Sequence, residues 1–269
     1  MKHSITMKAK MALVGDSGVG KTSLIRRFVL NVFTDEYINT LGTKVSKIEL
    51  IVPHGDDIEV RVALSIFDIM GQPGFGDLVK ETFFHNCQGL MAVCDITRRS
   101  SLESLHKWIA TATEIAGDIP VVILANKKDL LGQSTMNHDE VEKAAKMHEC
   151  PFAFTSAKTG EFVEDAFSSL AVEIVETAFK AHEAKRIGQQ LKERLLAYLV
   201  KRGGFGSTKT DIFQVFKGVG YDDMNRELNE LERDGLLTID WRGPGDFAVF
   251  ATREAERVIK SWKELPQAL

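Results

Sequence analysis

In the stretch MALVGDSGVGKTSLIRRF, Met11 to Phe28, three glycines, Gly15, Gly18 and Gly20, stand directly ahead of Lys21 and Thr22. The spacing G-x-x-x-x-G-K-[ST], set between an apolar run and an amphipathic one, suits a polyphosphate. Small residues let the backbone N–H groups of the loop, through Asp16, Ser17 and Val19, wrap phosphate oxygens without Cβ obstruction. The helix expected behind them, from Thr22 through Ser23 to Leu30, adds the favourable end of its dipole. Lys21 is expected to reach the β- and γ-phosphates, and Thr22 to place its hydroxyl on Mg²⁺.

Phosphate binding leaves the base open, and a second pattern addresses it. NKKD, Asn126 to Asp129, closes an apolar run. A carboxylate accepts both N1–H and the exocyclic N2–H of guanine, whereas adenine offers an acceptor at N1 and no amino group at C2, so Asp129 selects GTP over ATP. Lys127 is expected to pack its stem along the base. TSAK, Thr155 to Lys158, follows the next run; there the Ala157 N–H is a natural donor to guanine O6, with Ser156 and Lys158 on either side. Each tetrapeptide alone is a commonplace charged turn. In this order behind a phosphate loop, they describe one nucleotide site.

Such motifs need strands that end at them. From Lys8 to about Glu183 short β-rich runs alternate with longer helical patterns: MALVGD, KVSKIELIV, IEVRVALSIFDI, GLMAVCDI, IPVVILANKKD and PFAFTSA read as six strands. The central runs are nearly continuously apolar, as strands buried on both faces must be. Only PHGDD separates the second and third runs, too little for a crossover, so that pair is expected as an antiparallel hairpin at the sheet edge. Helical patterns over Thr22–Leu30, Leu78–Phe84, Ser101–Ala116, Asp139–Met147 and Phe162 to about Arg186 fill the other gaps. The fold class is α/β, a doubly wound, mostly parallel sheet.

The chain of 269 residues, 44% hydrophobic, 27% charged and of net charge −4, has the composition of an ordinary globular protein. Neither half is a basic nucleic-acid surface. Cys87, Cys94 and Cys150 form neither a disulfide framework nor a zinc spacing, which fits a reducing cytoplasm. MKHSITMKAK lacks the apolar core of a signal peptide, Lys2 excludes myristoylation and SWKELPQAL ends without a prenylatable cysteine, so no direct lipid anchor is expected.

Beyond about residue 187 the pattern changes. Residues 189–202 carry Leu191, Leu195 and Leu199 at steps of four; Gly188 interrupts the spacing at a cost of about 1 kcal/mol against Ala, which leaves a helix or a tight kink as the connection. TKTDIFQVF reads as a short helix. YDDMNRELNELERDGLL reads as a longer one with Met224, Leu228 and Leu231 on one face, Asp222 as N-cap and Gly235 as stop. TIDWRGPGDFAVFAT reads as a hairpin, and REAERVIKSW as a closing helix capped by Thr252. This order resembles a small α+β winged-helix domain over 187–269, after an α/β domain over 1–186.

The α/β domain resembles the Ras superfamily of small GTPases, the Rab family most closely, over about Lys8 to Lys180. GDSGVGKTSL is similar to a Rab phosphate loop, YINTLGTK to switch I and FDIMGQPGF to switch II. The resemblance implies a GTP- and GDP-binding switch with Mg²⁺ that hydrolyses GTP. It implies that Phe33 lies edge-on or perpendicular to the guanine. Thr40, with Thr43 as a second candidate, ligates Mg²⁺ and senses the γ-phosphate, and Asp68 holds Mg²⁺ through water. Gly71 donates its N–H to the γ-phosphate, and Gln72 orients the attacking water. These motifs supply no arginine in cis, so intrinsic turnover is expected to be slow, on the order of 10⁻⁴ to 10⁻² s⁻¹. Pro73, followed by Gly74, stands where an acidic residue is usual after the glutamine, and Phe67 where a tryptophan is usual. With the missing prenyl cysteine and the added domain, they point to a prokaryotic, archaeal relative.

Partners implied are protein effectors and a GTPase-activating protein or exchange factor. Two readings compete for the C-terminal domain. A transcription regulator would set Lys209, Arg226 and Arg242 on DNA. A protein-docking module is favoured instead, because Tyr221–Leu237 carries six acids, Asp222, Asp223, Glu227, Glu230, Glu232 and Asp234, against Arg226 and Arg233, which backbone phosphates repel. Trp241 and Phe247 are expected either to pack across the hairpin or to form a contact patch.

Overall fold

The computed structural model of the chain describes residues 3–33, 44–69, 82–243 and 246–264. It divides into two compact units, Met1–Phe179 and Lys180–Leu269.

The first unit is built on β1 (His3–Val14), β2 (Lys44–His54), β3 (Ile58–Asp68), β4 (Gly89–Asp95), β5 (Val121–Asn126) and β6 (Phe152–Phe154), in the order β2-β3-β1-β4-β5-β6. The edge strand β2 runs antiparallel to β3, as its short connection requires, and all other neighbours are parallel. β4 is buried along its whole length, the signature of a strand covered on both faces. β1 starts well before its apolar run. Its first residues, His3 to Thr6, are exposed, Ile5 included, but pair with β3 from His3 against Ile58, so backbone pairing, not side-chain burial, extends the strand.

Helices α1 (Lys21–Leu30), α2 (Arg99–Glu103), α3 (Leu105–Ala116), α4 (His138–Met147) and α5 (Val163–Arg202) cover the sheet. Alternation along β1 feeds two cores. Met11 and Leu13 pack with Leu24 of α1 and Phe167 and Leu170 of α5, while Ala12 and Val14 pack with Leu105 and Ile109 of α3 and Val141 of α4. Each fully buried leucine or phenylalanine of this kind contributes about 1.5–3 kcal/mol. Asn137 and Glu140 close a capping box on α4. The single helix expected over Ser101–Ala116 is two, because Ser104 ends α2 and begins α3 with its hydroxyl donated to the Ser101 carbonyl oxygen at 3.2 Å. Among the described residues no helix is long and apolar enough to cross a membrane.

The second unit contains the end of α5, then β7 (Ser207–Thr208), α6 (Lys209–Val215), α7 (Tyr221–Arg233), β8 (Leu237–Gly243), β9 (Asp246–Ala251) and α8 (Arg253–Glu264), with an antiparallel sheet in the order β7-β9-β8. Leu191, Leu195, Leu199, Met224, Leu228 and Leu231 meet in its core. Trp241 and Phe247 face each other across the hairpin, edge to face at 5.4 Å. Thr252 caps α8 by accepting from Ala255 N at 3.3 Å, and Gly235 follows α7 at φ 72°. Asp222 is not an N-cap: the cap is Gly220, two residues earlier and extended, so that α7 begins at Tyr221 and Asp222 and Asp223 stand in its first turn.

Gly188 lies inside α5 without breaking it. A Cβ there would stand 2.9 Å from Oε1 of Glu227, so glycine is the residue that admits the α7 carboxylate. Glu227 is buried, held by Arg226 Nε at 3.0 Å and Lys192 Nζ at 3.7 Å. Asp223 pairs with Arg226, Glu230 with Lys192, and Glu232 accepts from Ile239 N. Four of the six acids on this segment are therefore spent on internal contacts rather than presented as a free acidic face.

Candidate nucleotide site

The sequence motifs converge where parallel strands end, the side of a doubly wound sheet on which ligands bind. α1 begins at Lys21 with Gly20 as N-cap at φ 103°, no capping side chain and no acid in its first turn. A helix N-terminus with neither a capping side chain nor an acid suits an anion through its dipole. Glycine is required at this cap twice over, by its backbone angle and because a Cβ would lie 2.2 Å from Asn126 Nδ2. Lys21 is buried and curls over the loop, donating Nζ to the carbonyl oxygens of Gly15 at 2.6 Å and Asp16 at 2.8 Å. Burial pushes its pKa down to about 8, against the pull of Asp68 and Asp16, and Arg98 adds to the depression.

Asp68 ends β3 and is buried. Its Oδ2 accepts from Thr22 Oγ1 at 2.5 Å, while Oδ1 is buried with no partner among the described residues. Burial raises its pKa, only partly offset by the Thr22 hydrogen bond and the charge of Lys21. An orphaned carboxylate oxygen beside a hydroxyl is the hard oxygen chemistry that Mg²⁺ takes, so these residues fit the ion.

The base motif is locked to the phosphate loop by one side chain. Asn126 donates Nδ2 to the Val19 carbonyl oxygen at 2.8 Å, and its Oδ1 accepts from Ala157 N at 3.2 Å. Lys127 holds a left-handed backbone at φ 70° and pairs with Asp95 Oδ2 at 2.6 Å, a strained conformation of the kind kept at binding sites. Burial opposes ionisation of Asp95, yet bonds from Lys127 and Thr97 hold its pKa below the usual value. Asp129 is exposed and accepts from Ser156 Oγ at 2.6 Å. Phe33 is half-buried against the core beside α1. Thr40, Thr43, Gly71, Gln72, Pro73 and Gly74 lie outside the described residues.

Four contributors carry no motif. Asp95 fixes Lys127. Arg27 of α1 donates to the carbonyl oxygens of Ala157 at 2.8 Å and Lys158 at 2.6 Å, bracing the base loop. Trp108 donates Nε1 to Asp16 Oδ1 at 3.2 Å, and Arg98 donates Nη2 to the Ser17 carbonyl oxygen at 2.8 Å. Asp95 was findable as a carboxylate at the end of an apolar strand. The others act mainly on carbonyl groups that every residue has, so spacing does not reveal them.

Comparison with known proteins agrees with this geometry. The sequence profile of the Ras family matches residues 10–176. Ras-related protein Rab-13 of Rattus norvegicus is 35% identical over 167 residues, 62% of this chain and 79% of that protein. Ras-related protein Rab-26 of Homo sapiens is 34% identical over 201 residues, 74% and 73% of the two chains. Ras-related protein Rab-10 of Diplobatis ommata is 34% identical over 176 residues, 65% and 85%. With its phosphate loop, Mg²⁺-suited carboxylate and base loops assembled at the strand ends, the chain belongs to the Ras family as a Rab-like small GTPase, which binds GTP and GDP with Mg²⁺ and hydrolyses GTP to GDP.

Proposed function

We propose that the chain is a molecular switch in which the α/β domain reads the nucleotide and the segment beyond residue 187, a winged-helix-type domain, docks a protein partner or regulates the switch. The observation that carries the switch reading is the convergence of buried Lys21, the orphaned Asp68 oxygen and the Asn126 clamp on one unit. In this reading the loop from Gly15 to Ser23 holds the phosphates. Asp129, Lys127 and the Ala157 N–H hold the guanine, and Phe33 flanks it. Thr22, Thr40 and Asp68 are the ligands, direct or through water, of Mg²⁺, which neutralises phosphate charge when bound. Gly71 and Gln72 meet the γ-phosphate and the attacking water. Displacement of labelled GDP tests the base assignment: GTP competes and ATP does not, and Asp129→Asn shifts preference to xanthine nucleotides, whose C2 oxygen accepts where guanine donates. Equal competition by ATP removes the assignment.

Docking of protein rather than DNA is supported by the cations that a DNA reading needs, since each has an internal partner. Arg226 pairs with Asp223 and Glu227, Arg242 with Asp240, and Lys209 lies over the Tyr221 ring at 4.4 Å. Lost counterion release leaves little to hold a duplex. Phe205, 92% exposed, and Trp241, 55% exposed, remain for a partner. The family's effectors, activating proteins and exchange factors are the partner classes. Salt-tolerant, sequence-specific DNA binding abolished by Arg226→Glu would reverse this preference. Amide exchange in 189–269 that differs between GTP and GDP loading supports regulation through α5, and identical exchange removes it.

A further inference from the structure

Two side chains from the segment after β4 grip the phosphate loop. Trp108 meets a side chain, that of Asp16, whereas Arg98 meets the loop backbone itself at the Ser17 carbonyl oxygen. Arg98 is held at its root: its N–H donates to the Asp95 carbonyl oxygen at 2.9 Å, and its own carbonyl oxygen accepts from Ser101 Oγ at 2.6 Å. Its tip is exposed and rests on a neutral acceptor, and among the described residues it forms no ion pair. One hydrogen bond to a carbonyl uses a fraction of a guanidinium that carries five donors and a permanent charge. That charge is felt at the Lys21 ammonium. Two cations facing one loop repel while it is empty and become cooperative when a polyanion lies between them.

We propose that Arg98 is a cation supplied in cis for GTP hydrolysis, which turns from the Ser17 carbonyl oxygen onto the β–γ region of the triphosphate as charge develops there. The inference rests on the GTPase activity of the family. In the reaction a water oxygen bonds to the γ-phosphorus while the bond from that phosphorus to the β–γ bridging oxygen breaks. The electron pair leaves with GDP, one water proton stays on the inorganic phosphate and the other passes to solvent. Arg98 forms no covalent bond and gives up no proton. It offsets negative charge that is larger in the transition state than in the bound nucleotide, so it accelerates the step without tightening GDP.

The test is single-turnover hydrolysis by the full chain with no partner present, comparing wild type, Arg98→Ala and Arg98→Lys, alongside GDP affinity and formation of the GDP–aluminium fluoride complex with Mg²⁺. The wild type is expected near the upper end of unassisted rates, on the order of 10⁻² s⁻¹. Arg98→Ala is expected to slow it by about 10- to 100-fold, with GDP affinity within about twofold of wild type and the fluoride complex lost. Arg98→Lys, a point charge without the planar fork, recovers some of the rate. Unchanged hydrolysis in Arg98→Ala overturns the proposal. A parallel loss of GDP affinity and melting temperature overturns it too, by making Arg98 a brace for the loop. A wild type that binds GTP yet fails to hydrolyse it overturns the cis cation while leaving the nucleotide site intact, and failure to bind GTP removes the reading beneath it.

Discussion

Asp68 and Glu227 are both buried carboxylates, one in each compact unit, and they are finished differently. Glu227 is closed in by Arg226, Lys192 and the bare backbone of Gly188. Asp68 has one oxygen on Thr22 and the other, among the described residues, on nothing. A buried charge that is fully answered by its own chain is architecture, and one left half answered is a place for something that arrives from outside. Lys21 belongs with Asp68, since burial depresses its pKa and the nearby carboxylates do not make up for it. The Ser207 hydroxyl, also buried without a partner among the described residues, does not join them, because a neutral hydroxyl forgoes far less than an ionised oxygen.

The contrast is broken most severely at Lys21. Lys21→Met is expected to weaken GDP binding by about 100-fold, roughly 2.7 kcal/mol, while the melting temperature of the nucleotide-free protein holds or rises. Calorimetry and thermal melts on the same samples check both halves; a fall in melting temperature would assign the lysine to architecture. A smaller effect comes from pH. The folded pKa of Lys21, about 8, lies below its ordinary 10.5, so the empty protein carries the cost of burying the charge in full below about pH 8. That cost is relieved as pH rises toward 10.5. A bound polyphosphate restores the ammonium, so affinity is full below about pH 8 and falls by up to about tenfold per unit above it, with proton uptake visible in calorimetry across buffers of different ionisation enthalpy. A flat affinity from about pH 7 to about pH 9 removes this coupling.

The smallest effect sharpens the other side. Gly188→Ala gains helix propensity of up to about 1 kcal/mol, but its methyl group would crowd the Glu227 carboxylate at 2.9 Å, so a net loss of about 1 kcal/mol is expected in the wild-type background. In a Glu227→Ala background the same change becomes stabilising. Denaturant melts of the four-member cycle measure the coupling, and additive effects would mean that the close approach carries no energy.

These two residues also mark how far the sequence could be read. The mostly parallel sheet with its antiparallel edge hairpin, and the lysine and glycines of the phosphate loop, were legible because strand burial and phosphate wrapping impose spacing on residue types, whereas Asp68 came only through the resemblance to the family. Gly188 read as an interruption, since its cost is local and its reason is Glu227, 39 positions later. The acids of α7 read as one repulsive face, because helical spacing does not tell which of them turn inward to Arg226 and Lys192. Asp222 read as a cap because the signal for capping is residue type, whereas the helix is capped two residues sooner by a glycine. Arg27 and Arg98 escaped altogether, as partners of carbonyl groups.

The Asn126 amide, bonded at one end to Val19 and at the other to Ala157, has a consequence for how the nucleotide leaves. A latch shared by the two grips means that neither opens alone, since prising the phosphate loop pulls the carbonyl oxygen of Val19 off the same side chain that steadies the base loop. Release should therefore follow one exponential at every temperature, and a protein that speeds exchange needs to push on only one side of the latch.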